Sequence, residues 1–174
     1  KHALRSSLLG LSLMLSGSAM GWTDSFDACS SGQLHPNWIL HRGDIGPRSG
    51  AAVKTSEQSH VSVALVNGLD ADHISIGAQA SHFRARTGGH TVYYGLVARY
   101  NGARWSEASY YAATYNRDTR TFALWKRLPG QSQQELAESE RILLNNTRIR
   151  FQVRGSRLEL FSNGRLVLSY DDIR

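Results

Sequence analysis

Residues 93–170 constrain the fold more than any other stretch of this chain. Short runs of alternating apolar and polar residues are separated there by Asn101-Gly102, Pro129-Gly130, Gly155-Ser156 and Asn163-Gly164. Period-two alternation puts successive side chains on opposite faces of a strand, and Asn-Gly or Pro-Gly between two such runs marks a hairpin. The runs are residues 93–100, 109–115, 121–128, 148–154, 158–161 and 165–170. Strands in series with such turns predict an all-β sandwich or barrel. Upstream, residues 22–26, 38–41, 61–66 and 73–83 read as further strands, and 135–140 as the strand that follows Pro129-Gly130. Residues 42–50 are turn-rich, and nothing in the chain sustains helical periodicity.

The 174 residues suffice for one domain whose core needs no disulfide staple. Cys29 is the only cysteine; it lies in a Ser/Gly loop with no adjacent His or acid and reads as a free thiol. The net charge is +6, and arginine far outnumbers lysine. The arginines are scattered along strands and read as solvated faces. The charge admits an acidic polysaccharide as partner, whereas the lack of a basic run gives no reason to expect nucleic acid.

Residues 1–21 carry the pattern of a secretory signal peptide. Lys1 and Arg5 supply positive charge, residues 8–15 an apolar run, and residues 17–21 small side chains, with cleavage fitting after Ala19 or Gly21. The apolar run is too short for a bilayer span, so no transmembrane segment is expected. The alternative is an apolar arm that packs on an assembly partner. The expected organisation is therefore a leader or arm over 1–21 and a domain over 22–174, set in a secreted, periplasmic or cell-surface location.

Specific strings extend this reading. They are Trp22-Thr-Asp-Ser-Phe26 with Trp38 a loop later, Gly95-Leu-Val-Ala-Arg99, Tyr110-Tyr111, Leu124-Trp-Lys-Arg-Leu-Pro-Gly130, Arg154-Gly-Ser-Arg-Leu-Glu-Leu160, and Asn163-Gly-Arg-Leu-Val167 leading to Asp171-Asp172. Together they resemble the concanavalin A-like lectin/glucanase superfamily, particularly its laminin G-like branch, over most of the chain after Trp22. The resemblance implies a jelly roll: a two-sheet antiparallel β-sandwich with ligand on the concave sheet or the rim loops. Such domains usually continue past the Asp171-Asp172 region into a last strand, so after Arg174 that strand is expected to be missing, supplied differently, or cut off from a longer chain.

Strand parity nominates a ligand face. In residues 121–128 it separates Phe122 and Leu124 from Ala123, Trp125 and Arg127. In residues 93–100 it separates Leu96 and Ala98 from Val97 and Arg99. Trp125, Arg99 and one of Tyr110 or Tyr111 are thus expected to meet on an open sheet face. Sugar binding needs an aromatic plate for the apolar C–H face and fixed polar groups for hydroxyls, which these residues supply. The competing expectation is that Trp125 fills the inter-sheet core. The same parity sets Ile149, Phe151 and Val153 against Arg148, Arg150, Gln152 and Arg154.

Three other chemistries have candidate residues in this chain. Glycosidic hydrolysis needs two flanking carboxyl groups roughly 5–9.5 Å apart. The resembled glucanases use Glu-x-Asp-x-Glu, and Glu138-Ser-Glu140, with Glu135 upstream, lacks the middle Asp. Lyase chemistry would draw a base and an arginine from His90, Tyr94, Arg99 and Tyr110, although no motif demands it. No histidine pair has zinc-ligand spacing. Calcium needs clustered oxygens, and Asp24, Asp27, Asp171 and Asp172 would converge if the N- and C-terminal strands adjoin, as they do in the resembled fold. Asn145-Asn146-Thr147 is a glycosylation acceptor pattern at Asn145. The resulting expectation is a non-catalytic, lectin-like carbohydrate-binding domain. A structural or adhesion module is the alternative, ahead of a glycoside hydrolase or polysaccharide lyase.

Overall fold

The computed structural model describes residues 11–15, 22–24, 38–42, 45–47, 52–54, 63–66, 73–80, 93–144 and 146–173. The chain divides into two compact units, one of residues 1–11 and 23–70, the other of residues 12–22 and 71–174. The strands are, in order, β1 (Leu11–Leu15), β2 (Trp22–Asp24), β3 (Trp38–Arg42), β4 (Ile45–Pro47), β5 (Ala52–Lys54), β6 (Val63–Val66), β7 (His73–Ala80), β8 (Tyr93–Asn101), β9 (Ser109–Asn116), β10 (Thr121–Arg127), β11 (Gln134–Glu138), β12 (Thr147–Arg154), β13 (Arg157–Ser162) and β14 (Arg165–Asp171). Among the described residues there is no α-helix, only a 3-10 turn at Trp105–Glu107.

In the first unit β3 pairs antiparallel with β6, and β4 with β5. The turn-rich stretch after Arg42 therefore yields a short hairpin. Pro47 sits at the end of β4, in a two-stranded ribbon where a missing N–H is tolerated.

The second unit is an antiparallel β-sandwich. One sheet runs β14-β13-β12-β7-β1 and the other β11-β10-β9-β8. Residues 11–15, expected in a leader or arm, pair here with β7 from Ser12↔Gly77 to Leu15↔Ile74. The remainder of that segment, together with Asp27, Cys29, His90 and Asn145, lies outside the described residues.

Alternation explains the core. Phe151 stands opposite Ile76 on one side and Leu160 on the other, and Val153 opposite Ile74 and Leu158; all six are buried. From the second sheet Leu96, Ala113 and Leu124 form a buried cross-strand row, as do Tyr115 and Phe122 with rings 5.0 Å apart. Burial of one parity from each sheet is what holds a two-layer β fold together.

The hairpins use the expected turn chemistry. Asn163 and Gly164 both have positive φ, 49° and 82°, as a type I′ turn requires. Gly130 follows Pro129 at φ 69°. Asn116 Oδ1 accepts from the backbone N–H of Asp118 at 2.9 Å and of Thr119 at 3.3 Å, closing the β9–β10 loop. Gly102 has the sharpest requirement. Its φ is 151°, and an added Cβ would sit 2.6 Å from the Ala108 Cα. Gly102→Ala is therefore expected to destabilise by roughly 1–3 kcal/mol, read as a lower urea midpoint at unchanged slope. A midpoint equal to that of the parent would show that this backbone approach relaxes freely.

Candidate aromatic face of the four-stranded sheet

Residues directly opposite each other on paired strands share a face. Val97, Ala112 and Trp125 stand opposite one another across β8, β9 and β10, and Arg127 stands opposite Tyr110. This parity is the reverse of Leu96, Ala113 and Leu124, so it faces away from the other sheet. Trp125 is half-buried there. It packs on Ala108, Tyr110 and Ala112 beside Val97 and Tyr100. The small side chain of Ala112 leaves room for the indole, whose Nε1–H donates to Thr114 Oγ1 at 2.8 Å. That bond satisfies the polar end of the ring and fixes its direction across β9.

Only one of the two tyrosines joins this face. Tyr110 is buried within the cluster and stacks on Tyr100, with centroids 6.1 Å apart and planes 10° from parallel. Tyr111 has the opposite parity. It lies on the inner face, and its hydroxyl donates to Asp172 Oδ2 at 2.5 Å.

Arg99 does not follow the parity expected of it. The β8–β9 register shifts between Ala98 and Asn101, and Arg99 has φ 51° inside the strand. One extra residue reverses the faces beyond a bulge. Arg99 Nη1 accordingly donates to the Gly155 carbonyl at 2.7 Å, on the β12–β13 turn of the other sheet. Tyr100 takes the outward place instead.

Further along the same face Thr121 Oγ1 donates to Glu138 Oε1 at 2.7 Å, and Arg127 Nη2 donates to the Ser106 carbonyl at 3.2 Å. The aromatic patch thus has a hydroxyl–carboxylate pair along the face and a guanidinium beside it. Burial raises the Tyr110 phenol above its ordinary value, with the nearby Arg127 guanidinium partly opposing. Tyr94 is also raised by burial, against the charge of Arg117. Both shifts keep the phenol protonated at neutral pH, contrary to the needs of a tyrosinate base.

The sign of the Tyr110 shift has a measurable consequence. A raised value in the folded state means the fold favours the neutral phenol. The associated stability is complete below the unfolded value near 10 and disappears as pH rises through the higher folded value. Tyr110→Phe should therefore flatten the alkaline fall in stability above about pH 10, measured by urea unfolding from pH 9 to 11.5. An unchanged alkaline slope would show that this phenol is not the group responsible.

Of the carboxylates named for other chemistry, Glu138, Asp171 and Asp172 are engaged with other groups. Glu138 ends β11, so Glu140 lies beyond the strand on which the two would share a face. There Ser139 Oγ accepts from the Phe122 N–H at 2.9 Å and donates to the Glu140 carbonyl at 2.7 Å. Asp171 pairs with Arg157, and Asp172 with Lys126 Nζ at 2.6 and 2.9 Å. Each of these aspartates thus already neutralises a cation, on different sides of the strand end. Among the described residues no group of three or more His, Cys, Asp or Glu gathers to hold a metal. The side chain of Asp24 and all of Asp27 lie outside the described residues.

No family model matches the chain, and no curated protein matches it. Among solved structures it is similar to the carbohydrate-binding module CBM66 from Bacillus subtilis, with 15% identity, a TM-score of 0.45, and coverage of 79% of this chain and 81% of that one.

Proposed function

We propose that the β-sandwich is a non-catalytic glycan-binding domain whose ligand lies against Trp125 on the outer face of the β11-β10-β9-β8 sheet. One observation carries this reading. Trp125 is half-buried on the outer face rather than sealed between the sheets, and its N–H is already bonded to Thr114. A ligand laid on the exposed part of the ring need not supply an acceptor for the indole nitrogen. The apolar C–H face of a pyranose matches an aromatic surface, and hydroxyls match the Thr121–Glu138 pair and Arg127. Tyr110 and Tyr100 act behind the indole as a rigid support. The same reading takes the 1–21 pattern as grounds for a secreted, periplasmic or cell-surface setting.

The test is a glycan array followed by titration calorimetry of the full chain with the best neutral oligosaccharide. Trp125→Ala should weaken that binding at least about tenfold, the equivalent of roughly 1.4 kcal/mol. Trp125→Phe should retain part of it. A silent array across neutral and acidic glycans would sink this reading and leave the structural or adhesion module standing. Binding indifferent to Trp125→Ala would move the ligand to another face.

A further inference from the structure

The outward face of the other sheet carries a row of arginines that the ion pairs among the described residues leave uncompensated. On β12, Ile149, Phe151 and Val153 turn inward and are buried, so Arg148, Arg150 and Arg154 turn outward. Gln152 shares their parity but is buried, donating to Ser75 Oγ at 3.2 Å. Among the described residues two acids reach this face, and both go to one cation. Glu159 and Asp171 each pair with Arg157. Among the described residues no carboxylate lies within ion-pair distance of Arg148, Arg150 or Arg154. Arg148 and Arg154 are exposed, and Arg150 lies over the Phe161 ring at 4.1 Å.

The spacing is set by the backbone. At about 3.3 Å per residue, the three Cα atoms lie about 6.6 and 13 Å apart along one straight strand. β12 is hydrogen-bonded to β7 on one side and β13 on the other, so the row is held rather than floppy. Like charges aligned on a rigid strand repel one another, and a linear anionic ligand would relieve that repulsion.

We infer that β12 forms a second binding track, for a linear polysaccharide bearing carboxylate or sulfate groups. Guanidinium forks bind two oxygens of one oxyanion at once, whether a planar carboxylate or a tetrahedral sulfate, which suits uronates and sulfated sugars. Gln79 stands opposite Arg148 and His73 opposite Arg154, adding amide and imidazole groups that match sugar hydroxyls. Single-stranded nucleic acid is disfavoured because it relies on open aromatic rings for base stacking. Phe161 offers a ring on this face, and Arg150 covers it. This inference is independent of Trp125, which lies on the other sheet.

The experiment titrates the full chain with heparin, polygalacturonate, neutral dextran and poly(U) at several salt concentrations. The parent should bind heparin or polygalacturonate with an affinity that falls steeply with salt. The triple variant Arg148→Gln/Arg150→Gln/Arg154→Gln should lose at least about tenfold in affinity, with a log–log salt slope flatter by about two units. The matching triple Lys variant keeps the charge and loses the fork. It should bind at intermediate strength with the parent's salt slope, and it controls for folding. No binding of either anionic glycan by the parent would overturn the inference, as would equal binding by the triple Gln variant. So would tighter, arginine-dependent binding of poly(U). Neutral-glycan binding lost on Trp125→Ala reads the other face separately, so the two proposals fail independently.

Discussion

Asp172→Ala is expected to destabilise the sandwich by about 3–5 kcal/mol, the penalty for stranding one partner of a buried ion pair. Lys126 alternates with Phe122 and Leu124, so its stem leaves β10 on the inner face. Its side chain is 14% exposed and that of Asp172 9%. Asp172 accepts from Lys126 Nζ at 2.6 Å and from the Tyr111 hydroxyl at 2.5 Å, while its own N–H donates to the Ser156 carbonyl at 2.9 Å. The contacts tie the end of β14 to β10 and to the β12–β13 turn. Alanine would leave a buried cation and a buried hydroxyl short of their acceptor together. For a domain of this size the thermal midpoint should fall by on the order of 10 °C. The double variant Lys126→Met/Asp172→Leu should recover most of the loss, because an apolar pair of similar volume often replaces a buried ion pair at little net change. Thermal and urea unfolding of the parent, the single variant and the double variant decide it. A single variant within about 0.5 kcal/mol of the parent would mean that water already solvates the pair.

Which of these features the sequence makes readable follows from their range. Turn chemistry and alternation are local, so the hairpins at Asn163-Gly164 and Pro129-Gly130 and the outward parity of Trp125 can be read directly. Tyr110 and Tyr111 are adjacent in the chain, and only the β9–β10 register shows that the first stands opposite Arg127 and the second opposite Lys126. Arg99 departs from simple parity through a single residue of bulge, which no composition rule announces. The bulge also hid Tyr100, the ring that stacks on Tyr110. Lys126 and Asp172 are 46 residues apart, so neither predicts the other. The arginines of β12 are legible as an outward row. Which of the surrounding arginines goes without a neighbouring acid is a matter of register, because β13 and β14 deliver both of their acids to Arg157.

Phe151→Ala is the second large effect expected, about 3–5 kcal/mol. Its side chain is fully buried at 0% exposure, in the central strand of the three that include β7 and β13. Ile76 and Leu160 flank it across the sheet, so the lost ring leaves a cavity walled by strands that are paired on both edges and collapse poorly. Phe161 gives the contrast. It sits one strand away, opposite Arg150, on the outward face, where its ring carries the guanidinium at 4.1 Å. Phe161→Ala should therefore lose only about 1 kcal/mol through the cation–π contact and partial burial. Urea unfolding of the two variants at equal slope measures the difference. A large gap means that β12 turns its phenylalanine inward and its arginines outward. Equal losses would place Phe161 in a packed interface, and the arginine row would then face protein rather than a polysaccharide.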